Sequence, residues 1–312
     1  MTMQQPAISL DLINRHNQEP NRNRYESRYF WEELYPLLAA AGFSAIEIPY
    51  EPVWQFGGRS GVPFNRYCVN TKYGDAAGYR AKLAECGIER VAGITFDPNL
   101  FMRNDNLDFF FGASGHFAGE ALAHAADLGA DYFAISPSPF HGRVAQYHPD
   151  IESKRDLFAE RTVALITGLA AKAGELGVSL VLRGEYWSLF GGDRQQALLE
   201  ALPASVKLDV DTANLFVAGI SAADFLRANA ARVGCVHLTD TAFVDDGQVW
   251  QTANPEHPSG HATQVFRDPG TGSVDLAGIV KLLGQLGYTG PVTASARQTR
   301  DPFRALLNQI QA

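Results

Sequence analysis

The chain has only three cysteines in 312 residues, Cys68, Cys86 and Cys235, and they lie too far apart to form a metal-binding pair or a disulfide framework. Cys86 and Cys235 sit near apolar segments and read as small core residues, with reduced thiols expected throughout. Runs of lysine or arginine are missing, and the net charge of −8 argues against a nucleic-acid-binding surface. The longest apolar stretch, "LITGLAAKAGELGVSLVL", is interrupted by glycine and charge, so no membrane-spanning helix is expected. The first 25 residues lack a basic region followed by an apolar core, so no secretory signal is expected and the anticipated location is cytoplasmic. A G-x-G-x-x-G turn and a phosphate-binding loop are also missing, which disfavours a doubly wound dinucleotide-binding sheet.

What the chain does have is alternation. Strand-like segments at 7–13, 44–50, 89–96, 131–138, 178–185, 206–211, 234–240 and 291–297 alternate with helix-like segments at 29–42, 76–87, 117–129, 154–177, 193–202, 221–231, 275–287 and 301–310. Five helices end in glycine just before the next strand, as in "ECGIERV" and "LGVSLV", which fits a left-handed helix C-cap. Asp301 and Pro302 suit the cap and first position of the last helix. Eight βα units without a linker predict an α/β protein, a closed (β/α)8 TIM barrel forming a single domain over residues 1–312.

Barrel chemistry sits at the C-terminal ends of the strands. The polar residues there are Glu47 and Glu51, Asp97, Ser136 and His141, Arg183 and Glu185, Asp211 and Asn214, His237 and Asp240, and Ser295, Arg297 and Gln298. Long loops at 51–75 and 241–272 fall on the same face and suit lids or binding loops.

Several motifs in order, "GFSAIEI", "GVSLVLRGE", "LDVDTANLFVAG", "VHLTDT" and "DPGTGSVDLAGIVKLLGQLGYTGPVTAS", resemble the xylose-isomerase-like barrels known as sugar phosphate isomerases/epimerases. The resemblance runs over most of the chain. It implies one divalent metal (Mn2+, Mg2+ or Zn2+), with Asp211 and His237 matching two of the family's ligands and Glu185 standing two residues beyond the expected strand-5 glutamate position, which is Arg183. The family's fourth ligand, a glutamate on the last strand, is Ser295 here, and a motif histidine is Asn214. In the epimerases two glutamates face each other across the substrate; with Ser295 in place of one, two-base epimerisation is not expected.

Each residue also has a plainer reading. Glu185 is a metal ligand or base, or a surface loop acid. Asp211 is a ligand or a helix cap, and His237 a ligand or a core histidine. Asp209 is expected in an internal ion pair with Lys207 or Arg183. His141 is a loop residue or an acid/base. Glu47 binds substrate or pairs with Arg183. Trp54 and Trp187 pack, or wall a ring-shaped ligand. Arg267 contacts substrate or makes a loop salt bridge.

The resulting expectation is a metal-assisted isomerase, epimerase or lyase. It would act on a sugar, keto-sugar or cyclitol by proton abstraction next to a carbonyl, with Glu185 or His141 as base. The alternative is a metal-free divergent barrel serving as a sugar-binding or partner subunit. A small-molecule carbohydrate is the expected partner, with a homo-oligomer as a further possibility and with neither nucleic acid nor membrane. Nuclease chemistry is disfavoured by the acidic charge and by too few ligands for a three-metal site.

Overall fold

The computed structural model describes residues 6–13, 27–52, 62–191, 194–245, 265–297, 299 and 301–311. Trp54 and Gln298 lie outside the described residues, as do parts of both long loops. In chain order the elements are β1 (Ala7–Ser9), α1 (Arg28–Ala40), β2 (Ala45–Pro49), α2 (Arg66–Tyr73), α3 (Ala76–Glu85), β3 (Arg90–Phe96) and α4 (Leu107–Leu128). Then come β4 (Tyr132–Ile135), α5 (His141–Tyr147), α6 (Ile151–Leu176), β5 (Ser179–Leu182), α7 (Arg194–Glu200), β6 (Lys207–Asp211), α8 (Thr212–Val217) and α9 (Ala222–Asn229). The chain closes with β7 (Val233–Leu238), β8 (Asp240–Thr241), β9 (Phe266–Arg267), α10 (Leu276–Gln285), β10 (Val292–Ala294) and α11 (Pro302–Gln311).

Eight parallel strands close into a barrel in the order β1-β10-β7-β6-β5-β4-β3-β2, which is the expected (β/α)8 TIM barrel. The strands are nearly continuous apolar runs because both their faces are buried, one against the helices and one inside the barrel. Inside, Ala7, Ala45, Ala92, Tyr132, Ala134, Val181 and Cys235 form a cluster rich in small residues. Gly93 leaves the space that Tyr132 fills: a Cβ there would stand 2.2 Å from the tyrosine ring.

The glycine-terminated helices are as expected, and Gly129 and Gly177 cap α4 and α6 with φ of 67° and 71°. Asp301 caps α11 through Oδ1, which accepts from the amides of Phe303 and Arg304. Two differences from the sequence reading matter. Helix α4 begins at Leu107 instead of near 117, because Asn106 caps it with a 2.9 Å bond to the Phe109 amide. Two of its glycines allow close approach to α6: a Cβ on Gly115 would meet Leu165 at 3.2 Å, and one on Gly119 would meet Lys172 at 3.3 Å. The short helices α2, α5 and α8 were not anticipated, and α5 and α8 begin directly beyond the barrel mouth.

Two register shifts shape the interior, one between Ile46 and Glu47 on β2 and one between Leu208 and Asp209 on β6. Such irregularities re-aim the side chains that follow them. Both residues immediately after a shift are acids of the central charge network. Among the described residues, no helix is long and apolar enough to cross a membrane.

Candidate active site

The C-terminal mouth of the barrel holds a buried charge cluster centred on Arg297, three residues beyond β10. Its Nη1 donates to Glu185 Oε1 at 2.8 Å, and its Nη2 donates to Asp211 Oδ2 at 3.1 Å. Phe266 of β9 lies across the guanidinium, 3.8 Å from the ring centroid to Cζ. Arg183, just past β5, approaches Glu185 Oε1 to 3.2 Å and Asp209 Oδ2 to 4.0 Å. Burial alone would lower the Arg183 pKa, but the carboxylates of Glu185, Glu47, Asp209 and Asp211 hold it firmly charged.

Asp211 serves two ends at once. Oδ1 caps α8 by accepting from the Asn214 amide at 3.0 Å, and it also receives the Thr239 hydroxyl. Oδ2 takes the Arg297 bond. Burial opposes its ionisation, yet Arg297, the Thr239 hydroxyl and Arg183 outweigh that and hold its carboxyl below the usual range. The polar turn "DTAN" is therefore a helix cap and an ion-pair site combined.

One layer deeper, His237 lies between two carboxylates. Its Nδ1 is 2.6 Å from Asp209 Oδ1 and its Nε2 is 2.6 Å from Glu47 Oε2. Tyr132 adds a hydroxyl bond to Glu47 Oε2 at 2.6 Å. Two carboxylate acceptors require both ring nitrogens to carry protons, so the ring is an imidazolium. Burial disfavours that charge, but Asp209 and Glu47 raise the His237 pKa well above its ordinary value. Glu47 responds in the opposite sense: burial would raise its pKa, but His237, aided by Arg183 and Tyr132, brings it down to about 2.

The structure distributes the remaining expected residues as follows. Glu47 pairs with His237 and Tyr132, and Asp209 with His237 and Arg183; Lys207 instead reaches the Ala231 carbonyl at 3.4 Å. Asn214 Oδ1 accepts from the Tyr186 amide at 2.9 Å, and its Nδ2 is buried with no hydrogen-bond partner among the described residues. Trp187 is fully buried and packs edge-on against Phe266, so the indole has no open face to wall a ligand. Arg267 is exposed on β9, and its neighbour Phe266 is the residue that faces the cluster. His141 is buried at the start of α5, where its amide donates to Trp187 O at 2.7 Å and its Nε2 lies 3.5 Å from Glu152 of α6.

Ser295 holds a carboxyl in place instead of supplying one: its hydroxyl donates to Asp11 Oδ2 at 2.7 Å. Asp97, at the end of β3, caps the turn that follows by accepting from the Asn99 amide at 2.8 Å. Burial and the nearby Glu185 push its pKa up to about 6, against the lowering effect of that bond and of Arg183 and Arg297. Asp240 anchors the rim, accepting from the amides of Gly270, Gly272, Val274 and Thr241. Sequence reasoning missed the central roles of Arg297 and Asp11. Arg297 stood among the polar strand ends, while Asp11 was hidden in an apolar strand-like segment.

The expected metal set does not fit this arrangement. Glu185 and Asp211 are spanned by the Arg297 guanidinium, which occupies the place between them that a divalent cation would need. His237 offers no lone pair, since both nitrogens are committed to carboxylates. Among the described residues, the three ligand-type side chains with donor atoms within 4.8 Å of one another are Asp209, Cys235 and His237. That trio shares the same imidazolium, and burial together with Asp209 pushes the Cys235 thiol up, away from the thiolate a metal requires.

Known proteins place the fold. No curated protein shows a significant sequence match. The chain is similar to D-psicose 3-epimerase from Clostridium cellulolyticum H10, solved with D-tagatose, at 13% identity and a TM-score of 0.62, covering 98% of this chain and 95% of that one. It is similar to the probable 3-DHS dehydratase AsbF of Bacillus anthracis at 11% identity and a TM-score of 0.68, covering 99% and 98%. The IOLI protein, solved with a zinc atom bound, matches at 14% identity and a TM-score of 0.65 over 99% and 96%. The model of one family, the xylose isomerase-like TIM barrel, matches residues 36–310. The chain belongs to that xylose isomerase-like TIM barrel family.

Proposed function

We propose that the protein is a carbohydrate-directed enzyme that moves a proton at the carbon next to the carbonyl of a keto-sugar or cyclitol. The observation that carries this reading is the state of Glu185. Its Oε1 is held by Arg297 and approached by Arg183, while its Oε2 is buried and makes no hydrogen bond among the described residues. A carboxylate fixed through one oxygen and unengaged at the other is a positioned base. Proton removal puts negative charge on the carbonyl oxygen, and the guanidinium groups of buried Arg297 and half-buried Arg183 beside the base supply the compensating charge.

A polyhydroxylated ligand also suits the orphaned groups. Asn214 Nδ2 needs an acceptor and Glu185 Oε2 a donor, and a sugar hydroxyl provides either. The cavity beside Glu185, Asp211 and Asn214 has a volume of about 20 Å³, room for one water. Proton abstraction is the first step shared by isomerisation, epimerisation and elimination, so family membership and the geometry support the same chemistry. The test is solvent deuterium exchange into D-fructose, D-tagatose, D-psicose and an inosose, followed by mass spectrometry. Wild type should add one deuterium beside the carbonyl of at least one probe, and Glu185→Gln should not. Equal exchange by both proteins, or none by wild type, would overturn the proposal.

A further inference from the structure

We infer that Asp11 is a second proton-transfer group of the mouth, placed opposite Glu185 so that a proton leaves one face of the substrate carbon and returns to the other. The inference rests on the function proposed above and names the partner of its base. Asp11 follows β1 in the turn Leu10–Leu12, and Glu185 follows β5. In the ring of eight strands, β1 and β5 are four places apart in either direction, so their ends face each other across the mouth. Ser295, at the end of β10, fixes Asp11 by donating to Oδ2 at 2.7 Å. The other oxygen, Oδ1, is buried and has no hydrogen-bond partner among the described residues, as is Oε2 of Glu185. Two carboxyls from opposite strands are thus each anchored through one oxygen and unsatisfied at the other.

Their surroundings divide the roles. Glu185 is paired with the guanidinium groups of Arg297 and Arg183. Asp11 feels burial and the Glu47 charge, which raise its pKa; the Ser295 bond, Arg183 and Arg297 oppose them without cancelling the rise. Two carboxyls in such different surroundings are placed to divide acid from base. In the forward step Glu185 takes the proton as the C–H bond breaks, and the electron pair passes to the carbonyl oxygen as an enediolate. Asp11 then gives its proton to the opposite face, forming the new C–H bond and returning the carbonyl. Exchange with water resets both groups. The carboxyl missing from the last strand at Ser295 is in this way supplied from the first strand, which restores inversion of the carbon.

Asp11→Asn keeps the shape and an acceptor for Ser295, so circular dichroism should show an unchanged fold. Against a probe that wild type exchanges, D11N should retain deuterium wash-in within about 3-fold while formation of the epimer falls about 100-fold, the usual scale for loss of a positioned acid. Epimer formation by D11N at the wild-type rate, or wild-type exchange that never inverts the carbon, overturns the inference while leaving Glu185 as base. Absence of wild-type exchange with every probe overturns the proposed function and this pairing together. Infrared difference spectra recorded along an acid-to-neutral titration supply a readout independent of substrate. Wild type should show a carboxylic-acid C=O band, absent from D11N, that persists to a higher pH than an ordinary aspartic acid, and identical spectra overturn the assignment.

Discussion

Removing the Arg297 guanidinium tests the charge logic of the mouth. The side chain is 8% exposed, bonds two carboxylates that are themselves 5% and 0% exposed, and stacks on Phe266. Arg297→Ala leaves Glu185 and Asp211 buried without their shared counter-ion, and breaking a buried pair in this way costs about 3–5 kcal/mol. For a chain of this length each kcal/mol shifts the melting temperature by about 1.5 °C, so a fall of roughly 5–8 °C is expected in differential scanning calorimetry. The same substitution opens a space lined by two carboxylates, which suits a hard divalent cation. Millimolar Mn2+ should therefore raise the melting temperature of the variant by several degrees through mass action and leave wild type unmoved. The charge logic fails if R297A melts within about 2 °C of wild type, a loss of only about 1.3 kcal/mol. It fails equally if wild type itself is stabilised by Mn2+ and destabilised by a chelator.

Three further outcomes follow from the same geometry. His237 has a raised pKa, so its contribution is complete below its unfolded value of about 6.5 and is lost as pH rises through the folded value. Glu47 has a lowered pKa, so its contribution is present above about 4.5 and is lost as pH falls toward 2; urea midpoints should thus plateau between these limits and decline on the alkaline side less steeply in His237→Gln. Asp97, with its pKa pushed up to about 6, adds a negative charge beside Glu185 when it ionises. Exchange rates should fall as pH rises through that value, and Asp97→Asn should flatten this limb in a pH–rate profile. Asp240→Ala leaves four backbone amides of the rim without their acceptor, at a cost of about 2–4 kcal/mol by urea titration. It should also alter Trp187 fluorescence, because the rim carries Phe266 against that indole.

The barrel was legible in the sequence because its signals are local. Apolar strand runs, helical periodicity and glycines ahead of the strands each depend on a few neighbouring residues. Most of the polar strand ends named from the sequence do gather at one mouth of the barrel, where Arg183 approaches Glu185 to 3.2 Å. The pairing of the charges was not legible. Glu47 and His237 meet across 190 residues, and Arg297 reaches Glu185 across 112. Strict alternation along β6 predicts which face Asp209 takes, yet the register shift before it and a matching one before Glu47 decide that both meet His237. The expected metal ligands were read from matching positions, and no local pattern reveals that a distant guanidinium stands between two of them. Asp11 was obscured for a related reason: a carboxylate in "SLDLI" reads as one polar residue of a strand, although the strand ends at Ser9 and turns.

The most direct test of the account is deuterium incorporation by protein stripped of metal with a chelator and verified by elemental analysis. With a keto-sugar probe, the stripped wild type should exchange the proton next to the carbonyl at its untreated rate, while Glu185→Gln should show none. Loss of exchange on stripping with recovery on adding Mn2+, or undiminished exchange in Glu185→Gln, would contradict it.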